Sequence, residues 1–303
     1  MSVNNDLQRP DSQQAAQPID IQQLLTLASN GGADNCRTSS PSDINSNGRV
    51  FGGQLLGQAV SAAMRSVEPN RRVATLQLLF LRGAHVDQPI EFDVQRLQDG
   101  RRYANRHVMG RQGTDFVFSA QVTAVAASAA EARPPHRALD IPAPEELCDH
   151  HQLPQPLLDR LAVTNFRLGG RRSIDFRLID PERELLPAQG GSSRLRYWIR
   201  ASQQLSGDPA LHAAALAYLS DYWLTYPALA HRLTALPQRR AYVASVNHTM
   251  WFLAPCRADE WLYVDARGMD LGDGRAISEA RVRTRDGHEV VVMTQECAVS
   301  DRV

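Results

Sequence analysis

A long internal repeat limits the folds open to this chain more than any other feature. In each half, an apolar helical segment is followed by four segments with the composition of β-strands, with turn residues between them. The turn at Asp99 matches the turn at Asp273, and Gln121 matches Gln295, both at a separation of 174 residues. A repeat of this length indicates two domain-sized copies rather than a solenoid.

Each copy is centred on a helix that is apolar on every side. The first covers 51–67, and the second covers 209–223 with Asp208 as its N-cap. Such helices are normally buried. We therefore expect an α+β fold in which each copy wraps one antiparallel sheet around one helix. The two sheets could join edge to edge, which would cover exposed strands.

Composition along the chain predicts four regions. They are a disordered tail over 1–18, an N-terminal domain over 19–125, a linker over 126–170 and a C-terminal domain over 171–303. The tail is rich in Gln, Asn, Asp and Ser, which favours disorder. The linker is rich in Ala, Pro and Glu, which is typical of a segment that runs over the surface.

Charge and composition exclude several classes of protein. Basic and acidic residues number 33 each, and every basic residue is Arg. The zero net charge gives no bulk attraction to nucleic acid or to a membrane. The lack of Lys excludes Schiff-base chemistry and a P-loop. No run of about 18 apolar residues is present, so we expect no membrane span.

The cysteines and histidines indicate neither disulfides nor a metal site. The four cysteines are Cys36, Cys148, Cys256 and Cys297. They lie far apart, which is typical of reduced thiols in a cytoplasmic protein. The nine histidines form no HExxH motif, so we expect no bound metal. The N-terminus lacks the pattern of a signal peptide.

One acidic residue stands near the end of the second buried helix. At the C-terminal end of a helix the macrodipole disfavours the negative charge of Asp221, and burial disfavours any unpaired charge. Either the helix ends early and Asp221 is hydrated in a loop, or the carboxylate is catalytic. The corresponding helix of the first copy, over 51–67, contains no acid.

Two polar residues on later strands accompany this carboxylate. Ser245 aligns with Val73 of the first copy, and Gln295 lies in an otherwise apolar strand. Each has an ordinary interpretation, as a strand hydroxyl and as a satisfied core amide. Together with Asp221 they could hold and deprotonate a water molecule. A Ser-His nucleophile is not favoured, because strand alternation puts Ser245 and His248 on opposite faces.

Four segments of the chain resemble the acyl-CoA thioesterase II family. They are VFGGQLLGQAV, LFLRG, VNHTMWFLAP and VVMTQECAV. The resemblance covers nearly all of residues 19–300 except the linker. It implies a double hot-dog fold and hydrolysis of medium- or long-chain acyl-CoA to free fatty acid and coenzyme A. It also implies that Asp221, Ser245 and Gln295 are catalytic.

The start of the first helix is a weaker candidate site. Gly52 and Gly53 leave room for a thioester carbonyl, and a helix N-terminus offers free N–H donors. Gln54 and Gln58 lie nearby, so we expect these four residues to bind the oxyanion or the substrate. The family resemblance also has departures, since Asn247 and Leu253 replace an Asp and a His of the family pattern.

The resemblance implies acyl-CoA as the partner, no cofactor, a role in fatty acid metabolism and a homo-oligomer, either dimer or tetramer. Two other functions stay open. One is a non-catalytic acyl-CoA binder or sensor. The other is an enoyl-CoA hydratase-like hot-dog enzyme, whose chemistry needs an Asp/His pair at the helix. Asp221 is instead followed by Tyr222 and Trp223.

Overall fold

The computed structural model describes residues 19–126, 139–162, 172–185, 193–235 and 241–301. The tail over 1–18 and parts of the linker lie outside these ranges, and the domain limits stay a prediction. The first half contains α1 (Ile21–Leu25), β1 (Leu27–Ser29), β2 (Asn35–Thr38), α2 (Gly52–Met64), β3 (Arg71–Phe80), β4 (Glu91–Asp99), β5 (Tyr103–Gln112) and β6 (Asp115–Ala126).

The second half repeats this order with additional helices. Two single-turn 3-10 helices, Pro144–Glu146 and His150–Gln152, come first. They are followed by α3 (Gln155–Ala162), β7 (Ile174–Leu178), α4 (Pro181–Glu184), β8 (Arg194–Ala201), α5 (Pro209–Ser220), α6 (Tyr226–Ala235), β9 (Ala241–Phe252), β10 (Leu262–Asp270), β11 (Arg275–Thr284) and β12 (Glu289–Asp301). No helix in the described ranges is both long and apolar enough to span a bilayer.

All twelve described strands form one antiparallel sheet. Their order is β1-β2-β4-β5-β6-β3-β9-β12-β11-β10-β8-β7. The halves meet where β3 pairs with β9, from Thr75 opposite Trp251 to Leu79 opposite Asn247. The prediction that the two sheets join edge to edge is therefore confirmed, and the join covers one edge of each half-sheet.

The two predicted central helices pack against each other inside this sheet. A Cβ added at Gly53 would lie 2.2 Å from the carbonyl oxygen of Tyr218, and one at Gly57 would lie 2.7 Å from that of Ala214. Later residues of α2 thus meet earlier residues of α5, so the helices run antiparallel. Glycine is required at these positions because the backbones approach so closely.

The strand register corrects one part of the predicted repeat. β3 and β9 carry the same one-residue irregularity, after Val73 and after Ser245. Beyond it, Leu76 pairs with Val122 in the first half, and His248 pairs with Gln295 in the second. Val122 is therefore the counterpart of Gln295. The match of Gln121 to Gln295 is wrong by one residue, because Gln121 is exposed on the outer face.

Candidate active site

Asp221 directly follows the last residue of α5, where the carboxylate meets the start of α2. A Cβ added at Gly52 would lie 2.6 Å from Asp221 Oδ2. The positive end of the α2 dipole therefore faces the carboxylate and offsets the negative end of α5. The sequence predicted that the end of α5 is an unfavourable position for the negative charge of Asp221. The N-terminal end of the antiparallel helix α2 compensates for this.

The structure brings Asp221, Ser245 and Gln295 into direct contact. Gln295 Nε2 donates hydrogen bonds to Asp221 Oδ1 at 2.5 Å and to Ser245 Oγ at 2.8 Å. Ser245 Oγ also donates to Asp221 Oδ1 at 3.4 Å. A primary amide has two N–H donors, so both N–H groups of Gln295 are used in holding the carboxylate and the hydroxyl. Asp221 follows the end of α5, and the other two residues come from β9 and β12.

A β-bulge puts Ser245 into this cluster. Glu296 pairs with Asn247, but the next residue, Cys297, pairs with Ser245, so Val246 is unpaired. The extra residue reverses the alternation of the strand. Ser245 and His248 therefore both face the interior, and the prediction that they lie on opposite faces is wrong.

His248 nevertheless does not act as a base for Ser245. Its Nε2 lies 3.0 Å from Ser220 Oγ, and the side chain is completely buried. Burial lowers the pKa of His248 to about 3, because the charged imidazolium loses its hydration. The ring is thus neutral at physiological pH.

Asp221 and Ser245 lie in the wall of a cavity of about 570 Å³. Its apolar lining includes Val50, Phe51, Leu55, Phe80, Trp223 and Val243. Gly52 also reaches the cavity, next to Asp221. The rest of the lining is polar, and a cleft that combines apolar side chains with convergent polar groups is typical of a small-molecule site.

Two arginines that the sequence did not single out lie at the same cavity. Arg82 forms an ion pair with Asp115 at 2.7 Å. Arg49 Nη1 instead lies 2.9 Å from Nδ1 of His85. Within the described ranges no carboxylate comes within ion-pair distance of Arg49. The positive charge of Arg49 is therefore available to an anion in the cavity.

Of the four residues predicted to bind the oxyanion or the substrate, only Gly52 reaches the cavity. Gly52 lines the cavity, whereas Gly53 packs against Tyr218. Gln54 Oε1 accepts from the Asp43 N–H at 2.7 Å, and Gln58 Nε2 donates to the Leu24 carbonyl at 2.8 Å. Both amides are fully buried in these bonds and neither lines the cavity, so we do not extend the oxyanion prediction to them.

No metal centre accompanies the cluster in the part of the chain that the structure describes. Among those residues, no group of three or more His, Cys, Asp or Glu side chains is placed to hold an ion.

Two family models match the chain. One is described as the acyl-CoA thioesterase N-terminal domain and matches residues 40–127. The other is described as the acyl-CoA thioesterase C-terminal domain and matches residues 147–299. Among curated proteins, acyl-coenzyme A thioesterase 8 of Mus musculus is 30% identical over 260 residues, which are 82% of this chain and 79% of that protein.

Solved structures give the same picture of the fold. The acyl-CoA thioesterase II TesB2 of Mycobacterium marinum is 29% identical, with a TM-score of 0.73 over 93% of this chain and 97% of that one. A hot-dog protein of unknown function from Alicyclobacillus acidocaldarius is 19% identical, with a TM-score of 0.71 over 93% and 98%. The predicted double hot-dog fold is confirmed.

Proposed function

This chain belongs to the acyl-CoA thioesterase II family. We propose that it hydrolyses the thioester of medium- or long-chain acyl-CoA to a free fatty acid and coenzyme A. The observation that supports this most strongly is the meeting of Asp221, Ser245 and Gln295, the first two of which lie in the wall of a cavity that also has apolar side chains. The cavity offers an apolar surface to an acyl chain, and the cluster offers a base beside it.

In this proposal Asp221 is the general base. It takes a proton from a water molecule whose oxygen attacks the thioester carbonyl carbon. The carbon–sulfur bond of the resulting tetrahedral adduct then breaks, and the sulfur leaves as the coenzyme A thiol after it gains a proton. Base catalysis of this kind contributes about 10²–10⁴ to the rate.

Ser245 and Gln295 have different parts in this step. Because both N–H groups of Gln295 bond to Asp221 and Ser245, the amide fixes their orientation. The Ser245 hydroxyl donates to Asp221 and accepts from Gln295, and its second lone pair stays able to accept from the attacking water. Ser245 thus binds the attacking water, and Gln295 fixes the orientation of the Ser245 hydroxyl.

The first turn of α2 is the donor for the developing oxyanion. N–H groups in the first turn of a helix have no acceptor within the helix. Gly52 presents this turn to the cavity beside Asp221. Donors aimed at the charge that forms in the transition state are often the largest electrostatic contribution to catalysis.

Arg49 is the candidate for binding a phosphate of coenzyme A. It lies at the cavity, is exposed and contacts an imidazole rather than a carboxylate. A guanidinium binds phosphate oxygens with two parallel hydrogen bonds. Arg82 contributes less, because Asp115 already neutralises it.

The test is hydrolysis of palmitoyl-CoA, followed by thiol release, with Asp221→Asn, Ser245→Ala and Gln295→Ala. We expect kcat of Asp221→Asn to fall by about 10²–10⁴ with an unchanged melting curve. Asp87→Asn is the matched control, since Asp87 is exposed and does not line the cavity. Full activity in folded Asp221→Asn protein would exclude this site. Wild-type protein that binds acyl-CoA but leaves it intact would be a sensor instead.

Association and location complete the proposal. Large apolar side chains are exposed on the outer face of the sheet, including Leu79, Trp251 and Ile277, and they support a homo-oligomer, either dimer or tetramer. Light scattering tests this against the subunit mass of 33.6 kDa. The four cysteines are free thiols, which supports a cytoplasmic location.

A further inference from the structure

Three buried polar side chains form one row on the inner face of the sheet, behind the carboxylate of Asp221. His248 on β9 pairs with Gln295 on β12, and Gln295 pairs in turn with Ser278 on β11. Each of the three is at most 2% exposed. Residues directly opposite one another on neighbouring strands have Cβ atoms about 5 Å apart, so their side chains share one space.

Each member of this row has a buried polar atom without a partner in the described part of the protein. The atoms are His248 Nδ1, Gln295 Oε1 and Ser278 Oγ. No direct hydrogen bond joins Gln295 to either neighbour. A buried polar group without a hydrogen bond is costly, and three such atoms on neighbouring residues indicate one small group that bonds to all of them.

The surrounding hydrogen bonds determine which of these atoms accept. Ser220 Oγ donates its only proton to the Ala217 carbonyl at 2.8 Å, so it accepts from His248 Nε2 at 3.0 Å. His248 Nδ1 therefore carries a lone pair. Gln295 Oε1 is also an acceptor, because its Nε2 faces the carboxylate of Asp221. The Ser278 hydroxyl is the one donor of the row.

We infer that one buried water molecule occupies this row. It accepts from the Ser278 hydroxyl and donates one hydrogen to Gln295 Oε1 and the other to His248 Nδ1. These three bonds satisfy all three atoms, and three is the usual number for a buried water. This inference rests on the proposed function. It makes Ser278 and His248 positioning residues, which hold the Gln295 amide with Nε2 towards Asp221 and Ser245.

The corresponding row of the first half contains no unpartnered polar atom of this kind. Its members are Leu76, Val122 and Arg106. Two are apolar, and the buried guanidinium of Arg106 bonds to Ser66 and Asp99. The three unpartnered atoms thus belong to the half that carries the carboxylate cluster.

Ser278→Ala tests the inference, with Ser278→Thr as the conservative variant. We expect kcat on palmitoyl-CoA to fall about fivefold in Ser278→Ala with KM unchanged, the rate equivalent of one neutral hydrogen bond. The melting temperature falls by about 2 °C, and Ser278→Thr retains both values. A hydroxyl with no water partner would behave oppositely, because its removal raises the melting temperature and leaves kcat unchanged. Ser119→Ala, in the first half, is the control for loss of a strand hydroxyl.

A crystal structure of the wild-type protein gives the direct readout. We expect an ordered water within about 3.2 Å of all three atoms, and in Ser278→Ala either its loss or a rotated Gln295 amide. A dry row, or a direct bond from Ser278 to Gln295, would overturn the inference. If the wild-type protein hydrolyses no acyl-CoA, the proposed function fails, while the electron density and the melting temperatures still decide the water site.

Discussion

Because Gly52 has no side chain, α2 can begin in contact with the carboxylate of Asp221, which follows the end of α5. Gly52→Ala would put a methyl group 2.6 Å from Asp221 Oδ2, and the carboxylate is the part that can move. We expect kcat to fall about 10²-fold, because a misplacement of about 1 Å at a reacting group has this effect. Steady-state hydrolysis of palmitoyl-CoA measures it.

Stability separates this effect from unfolding. Replacement of Gly by Ala within a helix favours the folded state by about 0.5–1 kcal/mol, so the melting temperature of Gly52→Ala should not fall. Gly207→Ala is the control, because no atom lies within 4 Å of the added methyl group. Wild-type activity in Gly52→Ala would show that the carboxylate needs no fixed position.

At the scale of residues, the sequence predicted which side chains form the cluster, but not which face of strand β9 they lie on. Asp221, Ser245 and Gln295 could be singled out by type and by the family resemblance. The alternation of β9 put Ser245 on the wrong face relative to His248, because a bulge at Val246 leaves no mark in the residue pattern and exists only in the pairing with β12.

At the scale of elements, a short turn before α2 holds Arg49 at the cavity. Ile44 and Val50 form an isolated bridge, and Asn45 Oδ1 accepts from the N–H groups of Asn47 at 2.9 Å and Arg49 at 3.1 Å. Asn47 Nδ2 also donates to the Val243 carbonyl at 3.2 Å, which ties the turn to β9. These hydrogen bonds therefore give the turn a defined conformation.

Arg49→Gln tests whether the guanidinium on this turn binds a phosphate of coenzyme A. We expect KM for palmitoyl-CoA to rise about tenfold, because a hydrogen-bonded charge pair is lost. KM for palmitoyl-pantetheine, which lacks the nucleotide phosphates, should not change, and neither should kcat for either substrate. Arg101→Gln is the control, since Arg101 is exposed in the turn between β4 and β5. Equal effects on both substrates would assign Arg49 to another role.

The predicted central helices and the four strands after each were found, but the end of the second helix was not. The predicted helix continues to Trp223, whereas α5 ends at Ser220 and α6 begins at Tyr226. Trp223 has a φ of 64°, which is unfavourable for a bulky residue. Its ring packs 4.8 Å from that of Tyr226, a tertiary contact that no local pattern reveals.

At the scale of the molecule, the shared sheet and the packed helices should make the halves unfold together. Gly57→Val in the first half would place its Cβ 2.7 Å from the Ala214 carbonyl oxygen of the second. We expect a loss of about 1–3 kcal/mol, because neither backbone can move aside. All four tryptophans lie in the second half, and Trp251 is the one that pairs with the first half, opposite Thr75, so their summed fluorescence follows the second half and its join.

Urea unfolding followed by fluorescence and by far-ultraviolet circular dichroism checks this coupling. Both signals should show the same lowered midpoint in Gly57→Val. Gly207→Val, where the added side chain meets open space, should keep the wild-type midpoint. An unchanged fluorescence midpoint beside a lowered dichroism midpoint would mean that the two halves unfold independently.

The antiparallel helix pair creates two related junctions, each formed by the end of one helix and the start of the other. At one of them Asp221 ends α5, and at the other Arg65 ends α2 and donates to the Leu27 carbonyl at 3.1 Å. A cation is the favourable charge at that position. The two corresponding positions thus carry opposite charges, and only the negative one, Asp221, lies at the cavity.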